Sequence, residues 1–388
     1  MNIAFIHPEG NFNNTPHLSA IIVALCRKHY RVDIHVIRKP FSQFPPHPDA
    51  RVFLHSRYVM RLVRLLSWFK VGRLPAAWLC RMGFRHADAD LIIGVDENGV
   101  IVAHYLGARF KRPVALISYE LLFASEVSKY RKSAEIFACR GIEFAVVQDK
   151  QRGELLAAEN QIDPAKLVFM PVADWSSTAA QSGWLRQSLG IEDDRKIALA
   201  MGSLDEWTGL AAVLRDLSSW PSDWILVLHG RYGLSAEKAK ELLRNNPKNL
   251  VISTESFDTN DDLGKLLGDV DIGFGLYCPD YKHEHTGLNL KHIGLASGKI
   301  ATYLRFGVPV LVNTTGEMAD YVASERLGVV VSQVEDIPDI LREVAGKDSP
   351  ASERCRQFFD RKLSVSARFA LLLDRIDASQ RPRTRSGQ

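Results

Sequence analysis

The sequence predicts an α/β protein of two domains, each built on a parallel sheet. Three observations carry this. Short apolar runs rich in β-branched residues alternate with helical patterns from end to end. The alternation pauses once, at Pro-Val-Ala-Asp-Trp-Ser-Ser-Thr (171–178), a small, polar stretch without period that reads as a linker, and then restarts. The length, 388 residues, also exceeds what one typical core supports.

In the first half, strands are expected at 2–6, 32–37, 91–95, 114–118, 143–147 and 167–170, with helical patterns such as 17–29, 98–109 and 150–159 between them. The second half repeats the scheme, with strands at 196–201, 224–229, 250–253, 271–274, 308–312 and 328–331 and helices including 261–267 and 337–344. A last helical stretch, 352–376, follows the strands. The basic tail beyond Gln380 is expected to be disordered. The boundaries are therefore 1–172, 185–350, a C-terminal helix 351–377 and a tail 378–388. Ligands of such sheets lie beyond the carboxyl ends of the strands, so chemistry is expected in a cleft between two facing halves.

Composition excludes several classes. With 46% apolar and 24% charged residues the chain is globular. Five scattered cysteines without a CxxC pair argue against a disulfide frame and for a reducing cytosol. The N-terminus does not read as a secretory signal, and no apolar run approaches the ~20 residues that span a bilayer. The net charge of +4 is modest, but its distribution is uneven. From Arg51 to Ala87 there is no acid, while Arg51, Arg57, Arg61, Arg64, Lys70, Arg73, Arg81 and Arg85 alternate with aromatic residues. Residues 57–69 have helical period. Such a helix either lies on an anionic membrane surface, binds an acidic lipid-diphosphate head group or nucleic acid, or packs its apolar side in the core.

The segment from Gly294 to Val312 reads as a loop, a helix opening at Ser297-Gly298-Lys299, and a buried strand. A helix N-terminus offers free N–H groups and the positive end of the dipole, and Lys299 adds a full charge. This suits a diphosphate, with Lys299 the first candidate to stabilise a diphosphate leaving group and Arg231 the second. Before it runs a long polar loop with three His, two Lys and two Tyr, expected to fold over a ligand through Tyr277 and Asn289. Cys278, His283, His285 and His292 match no zinc spacing, and Asp88-Ala-Asp90 and Asp269-Val-Asp271 fit helix-to-strand turns, so no metal is expected. The loop His7–Pro16 lacks a dinucleotide fingerprint. Its Gly10 would let backbone approach a substrate. Asp96, Glu97, Glu9 and His7, all on loops at expected strand ends, read first as contact or capping residues; where the reaction needs a general base, Asp96 ranks first among them.

The two halves, the Lys-x-x-x-Tyr-Leu-x-x-Gly-x-Pro-Val run from Lys299 to Val310 and the late helix resemble GT-B glycosyltransferases, most closely family 4 of bacterial polysaccharide synthesis. Asp96 resembles that family's acidic loop after the fourth strand. Ser118-Tyr-Glu-Leu121 resembles its His-Glu-Leu stretch, with Tyr119 where His is usual. Val147-Gln-Asp-Lys-Gln-Arg152 resembles its Gln-Asp-x-x-Arg turn, and Met201-Gly-Ser-Leu and His229-Gly-Arg231 its first two donor-domain strand ends. The family's Glu-x7-Glu pair would fall at Gly294 and Thr302, neither acidic, so the ribose contact passes to Thr302.

The resemblance implies two facing Rossmann-like domains with a C-terminal helix crossing back to the first. It implies a metal-independent, cofactor-free hexosyltransferase using a nucleotide diphosphate sugar, UDP by family prevalence, on a glycan or lipid-linked hydroxyl. The donor would meet Gly202, Ser203, Arg231, Tyr277, Asn289, Ser297, Gly298, Lys299 and Thr302. The acceptor would meet Glu9, Gly10, Asn11, Asp96, Glu97 and Glu120. The protein would be cytoplasmic, peripheral at the inner membrane face through Arg51 to Arg85, and without a nucleic-acid partner. A GT-B nucleotide-sugar epimerase and a non-catalytic protein that binds glycans or lipid intermediates remain as alternatives.

Overall fold

The computed structural model describes residues 1–10, 16–37, 47–84, 87–230, 236–245, 248–255, 257, 261–313, 316–344, 346 and 349–380. The chain forms two compact units, Met1–Pro171 with Val365–Gln388, and Val172–Ser364. The first holds a seven-stranded parallel sheet of β1 (Asn2–Ile6), β2 (Arg31–Val36), β3 (Ala50–Leu54), β4 (Leu91–Val95), β5 (Val114–Ile117), β6 (Ala145–Val147) and β7 (Leu167–Phe169). Its order is β3-β2-β1-β4-β5-β6-β7. The second holds β8 (Lys196–Gly202), β9 (Trp224–Gly230), β10 (Leu250–Ser253), β11 (Ile272–Gly275), β12 (Val310–Val312) and β13 (Gly328–Val330), in the order β10-β9-β8-β11-β12-β13. Every pairing is parallel, and central strands such as β4 and β11 are buried along their whole length, as sheets covered on both faces must be.

All the expected strands form. The sequence reading missed β3, whose apolar residues sit among the basic residues that opened the acid-free stretch. Helices of the first unit are α1 (Pro16–Arg27), α2 (Arg57–Ser67), α3 (Arg73–Gly83), α4 (Asp96–Phe110), α5 (Lys129–Cys139) and α6 (Lys150–Asn160). Several start where a side-chain oxygen takes an orphan N–H: Ser56 from Tyr58, Ser128 from Arg131 and Asp149 from Arg152. Helix α4 packs so closely on the sheet that a Cβ at Gly99 would lie 2.4 Å from the carbonyl oxygen of Ile6.

The expected late helix is two helices. Ser349–Phe358 belongs to the second unit, a five-residue π turn follows (Phe359–Leu363), and Val365–Ser379 returns to the first unit. There Tyr30 donates to Asp377 (3.1 Å) and Arg375 to the carbonyl of Ala165 (2.8 Å). Residues 381–388, most of the expected tail, lie outside the described residues. The aperiodic stretch 171–178 is irregular but lashed within the second unit: Val172 N–H donates to Leu295 O and Asp174 pairs with Arg305 at 3.2 Å. No helix among the described residues is long and apolar enough to cross a membrane.

Candidate active site

In both sheets the strand order reverses once, between β1 and β4 and between β8 and β11. Ligands of open parallel sheets bind beyond the strand ends at such a reversal. The predicted residues gather at these two places, one group in each unit.

In the second unit, β8 ends on Gly202 at φ 98°, a left-handed conformation that suits glycine. Beside it, β11 runs into Leu276 and Tyr277. The Tyr277 backbone is clamped by Asn313, which accepts from its N–H (2.8 Å) and donates to its carbonyl (3.0 Å). The Tyr277 hydroxyl meets Ser297 Oγ at 2.5 Å. Ser297 caps the helix Gly298–Arg305 by accepting from Ile300 N–H. The ammonium of Lys299 lies 4.5 Å from the Tyr277 ring centroid and donates to Leu276 O at 3.3 Å. A fixed cation therefore stands beside a capped helix N-terminus, both held by one tyrosine.

Tyr303, in the second turn of this helix, donates to Leu199 O (2.8 Å) and accepts from Met201 N–H (3.2 Å), locking the helix to the end of β8. Its ring occupies the space a side chain at Gly273 would need; a Cβ there would lie 2.4 Å away. Thr302 spends its hydroxyl proton on Gly298 O (2.8 Å), so toward a ribose it is an acceptor only. Asn289 is buried and donates to His285 O (3.4 Å), on the ordered loop before the helix. Ser203 lies with Lys299 in the lining of a small pocket. Arg231 lies outside the described residues.

In the first unit, Asp96 follows β4 at φ 53°, an uncommon conformation for a non-glycine residue and one that turns its carboxylate toward β5. Its Oδ1 accepts from the N–H groups of Tyr119 (2.6 Å) and Glu120 (3.0 Å). Burial, then the carboxylates of Glu120 and Glu9, push its pKa well above the usual carboxylate range, although the two N–H donors oppose this. A raised pKa makes this carboxylate a stronger base toward a hydroxyl proton than an ordinary aspartate. The segment it holds is fixed from the other side as well. Arg152 donates to Tyr119 O (2.7 Å) and to Gln148 Oε1 (2.8 Å), and Gln148 to Ser118 O (2.6 Å). The Gln-Asp-x-x-Arg turn is thus a brace for the segment Ser118–Glu120 that Asp96, the first residue of α4, holds.

The other residues expected to meet an acceptor divide. Glu9 accepts from Asn98 Nδ2 at 2.6 Å and adds its charge near Asp96. Gly10 adopts φ 67° at the end of a turn closed by its N–H on His7 O. His7 is buried, and burial lowers its pKa to about 4, so it is neutral. Glu97 points away from the group: it is 5% exposed and takes a bidentate pair from Arg131, with contacts of 2.7 to 2.9 Å. Asn11 lies outside the described residues.

Both Asp-x-Asp runs serve the backbone. Asp90 accepts from Asn2 N–H, Asp269 from Gly183 and Arg186 N–H, and Asp271 from Ile197 N–H. Among the described residues no group of three or more His, Cys, Asp or Glu side chains is placed to hold a metal.

Sequence reasoning missed four residues here. Trp207 stacks near Tyr277 (6.2 Å, 17°), Asn313 clamps it, His17 meets the Tyr119 hydroxyl at 2.8 Å, and Arg131 occupies Glu97. Only Asn313, directly after β12, stood at a position that a strand-end rule could have singled out.

The sheets and their order define the GT-B class of fold. Across 97% of this chain and the whole of the other, it superposes on HepE of Anabaena in complex with UDP and glucose, with a TM-score of 0.71 at 13% identity. Sucrose-phosphate synthase from Thermosynechococcus elongatus gives 0.69 at 14% identity, covering 98% of this chain and 100% of that one. WaaG, a glycosyltransferase involved in lipopolysaccharide biosynthesis, gives 0.64 at 14%, covering 96% and 98%. More narrowly, residues 222–365 match the family described as Glucosyltransferase 3-like, C-terminal domain. No curated protein matches the chain by sequence.

Proposed function

We propose that this chain is a glycosyltransferase that moves a sugar from a nucleotide diphosphate sugar, with UDP as the nucleotide, to a hydroxyl of a glycan or lipid-linked acceptor. The observation that carries the reading is Lys299, held over Tyr277 beside the Ser297-capped helix at the strand reversal of the second sheet. A diphosphate leaving group gains charge as the glycosidic bond breaks, and N–H donors with a fixed cation stabilise that charge without a metal. The match of residues 222–365 to the glucosyltransferase 3-like domain supports the same reading, as does the bound UDP in HepE.

The second unit takes the donor through Gly202, Ser203, Tyr277, Asn289, Gly298, Lys299 and Thr302, with Arg231 from the segment that follows β9. Tyr277 is a positioning residue for Lys299. The first unit takes the acceptor. Asp96, with its raised pKa, removes the proton from the attacking hydroxyl, and Glu9, Gly10 and Glu120 surround it. Arg131 holds Glu97 out of this role. The enzyme works in the cytoplasm, in polysaccharide or glycoconjugate synthesis.

The test is titration calorimetry with UDP, UMP and GDP, followed by turnover of a panel of nucleotide sugars with and without candidate acceptors. Tight UDP binding and acceptor-dependent release of UDP are expected. Absence of turnover with every donor would overturn the enzyme reading, and release of a free epimerised sugar would replace it with an epimerase.

A further inference from the structure

The nucleotide and acceptor chemistry leaves unused the face formed by α2, the turn Lys70–Gly72 and α3. Helix α2 fully buries only Met60, Val63 and Ser67. Tyr58, Leu62 and Leu65 recur at helical spacing along one side of α2, Phe69 follows just beyond its end, and all four are exposed. Arg57, Arg61 and Arg64 repeat the spacing one residue earlier, also exposed. Helix α3, packed against α2, carries Leu74, Trp78 and Met82 outward, and Val71 in the turn between them is 91% exposed. Of the readings open for this helix, packing of the apolar side in the core therefore fails for most of it. Isolated exposed apolar residues are ordinary, but a continuous stripe across two helices marks a docking surface.

Beside the stripe opens a hollow of about 630 Å³, lined in part by Lys70, Arg73, Lys129, Lys132 and Arg140. Lys132 is already neutralised by Glu135 (2.8 Å) and Glu159 (3.4 Å). The other four make no ion pair among the described residues. Arg73 lies 3.7 Å from the Phe137 ring centroid, and its buried Nε has no hydrogen-bond partner among the described residues. The stripe and the hollow share an edge. Lys70 and Arg73 line the hollow and are next in sequence to Phe69, Val71 and Leu74 of the stripe, and the Phe69 ring meets Tyr130, next to Lys129, at 5.3 Å.

We propose that this face docks on an anionic lipid bilayer, the apolar stripe entering the interface while the hollow receives a lipid phosphate. A protein partner usually presents charges of both signs, whereas no acid occurs from Arg51 to Ala87. A surface with a single sign of charge suits a membrane carrying acidic lipids. Tyr58 and Trp78 are of the amphipathic ring type that settles at head-group depth. Four cations lacking carboxylate partners around one hollow fit phosphate oxygens.

The test is flotation of the full chain with vesicles of phosphatidylcholine, alone or mixed with phosphatidylglycerol. Binding to the mixed vesicles only is expected, weakening with salt. Leu74→Ser with Trp78→Ser should abolish flotation while leaving the fold intact, since both side chains are exposed. Replacing Arg57, Arg61 and Arg64 by Ala should cost on the order of a hundredfold in vesicle affinity, at about fivefold per charge. Lys70→Ala with Arg140→Ala should weaken binding, and soluble glycerol phosphate should compete only if a free anion, not the bilayer, is the ligand. No flotation of the wild type would overturn the proposal, as would flotation indifferent to the Leu74 and Trp78 changes. A lipid-free dimer that these changes dissociate would make the face an interface between copies. UDP affinity should be unchanged in all variants, so this test stands apart from the one for the sugar chemistry.

Discussion

Replacing Lys299 by Ala removes a full positive charge that stands beside the cap of the helix Gly298–Arg305. A charge-assisted hydrogen bond contributes about 1.5–3 kcal/mol. Lys299 is half-buried, so solvent screening places its share in the lower half of that range, about 1.5–2 kcal/mol, or a ten- to thirtyfold loss of UDP affinity. The helix dipole and the N–H groups of Gly298 and Lys299 remain, so binding is weakened rather than abolished. The assay is calorimetry of UDP and UMP on wild type, Lys299→Ala and Tyr277→Phe. Tyr277→Phe keeps the ring under the ammonium and loses the hydroxyl contact with Ser297, so it should cost less than about fivefold. A change below about threefold for Lys299→Ala would refute the reasoning. So would an equal loss for UMP, because the cation would then not be reading the second phosphate.

Asp96→Asn keeps an oxygen to accept from Tyr119 and Glu120 while removing the charge. Because the folded pKa is raised, the native state holds a proton that the unfolded chain releases above about pH 4, so wild-type stability falls as pH rises through the folded pKa. The variant should melt higher than wild type at alkaline pH, with a flatter pH slope, and lose acceptor-dependent turnover; an unchanged slope would count against the raised pKa. Arg131→Ala leaves the Glu97 carboxylate buried without its bidentate partner and should cost about 3–5 kcal/mol in denaturant unfolding, and adding Glu97→Gln should recover part of it. Gly273→Ala drives a Cβ into the buried ring of Tyr303 and should cost about 1–3 kcal/mol by the same measure. It should also weaken UDP binding, because that ring fixes Met201 at the end of β8.

The alternation of strands and helices was legible because parallel strands covered on both faces are written as short continuous apolar runs, and β4 and β9 are such runs. Strand β3 was not. It pairs on one side only, at the sheet edge, and Arg51 within it serves the buried Asp33 at 2.7 Å, so its sequence mixes charge with apolar residues. The late helix was read as one because helical period runs through it. Only packing reveals the π turn and the break at Ser364 that lets Val365–Ser379 return to the first unit. Lys299, Ser297 and Gly298 could be found because the chemistry of a helix start is local. Asn313 lies 36 positions from the tyrosine it clamps, and Arg131 34 positions from Glu97, distances at which sequence alone carries no signal.

The two carboxylates absent at Gly294 and Thr302 bear on how the donor end works. Gly294 sits at φ 44°, in the left-handed region, within the 3₁₀ turn Gly294–Ala296 that leads to the Ser297 cap. A glutamate there would strain the turn that sets the helix start. At Thr302 the hydroxyl proton is taken by Gly298 O, so a single neutral acceptor faces outward where two anionic oxygens would otherwise stand. A carboxylate at that place would lie one turn from Lys299 and draw on its charge. The ammonium donates to Leu276 O and lies over the Tyr277 ring, contacts that orient it at the helix start. On the proposed reading, the helix start and Lys299 meet the diphosphate while Thr302 offers the ribose a neutral contact, so changing the nucleotide's phosphates should alter affinity more than removing a ribose hydroxyl.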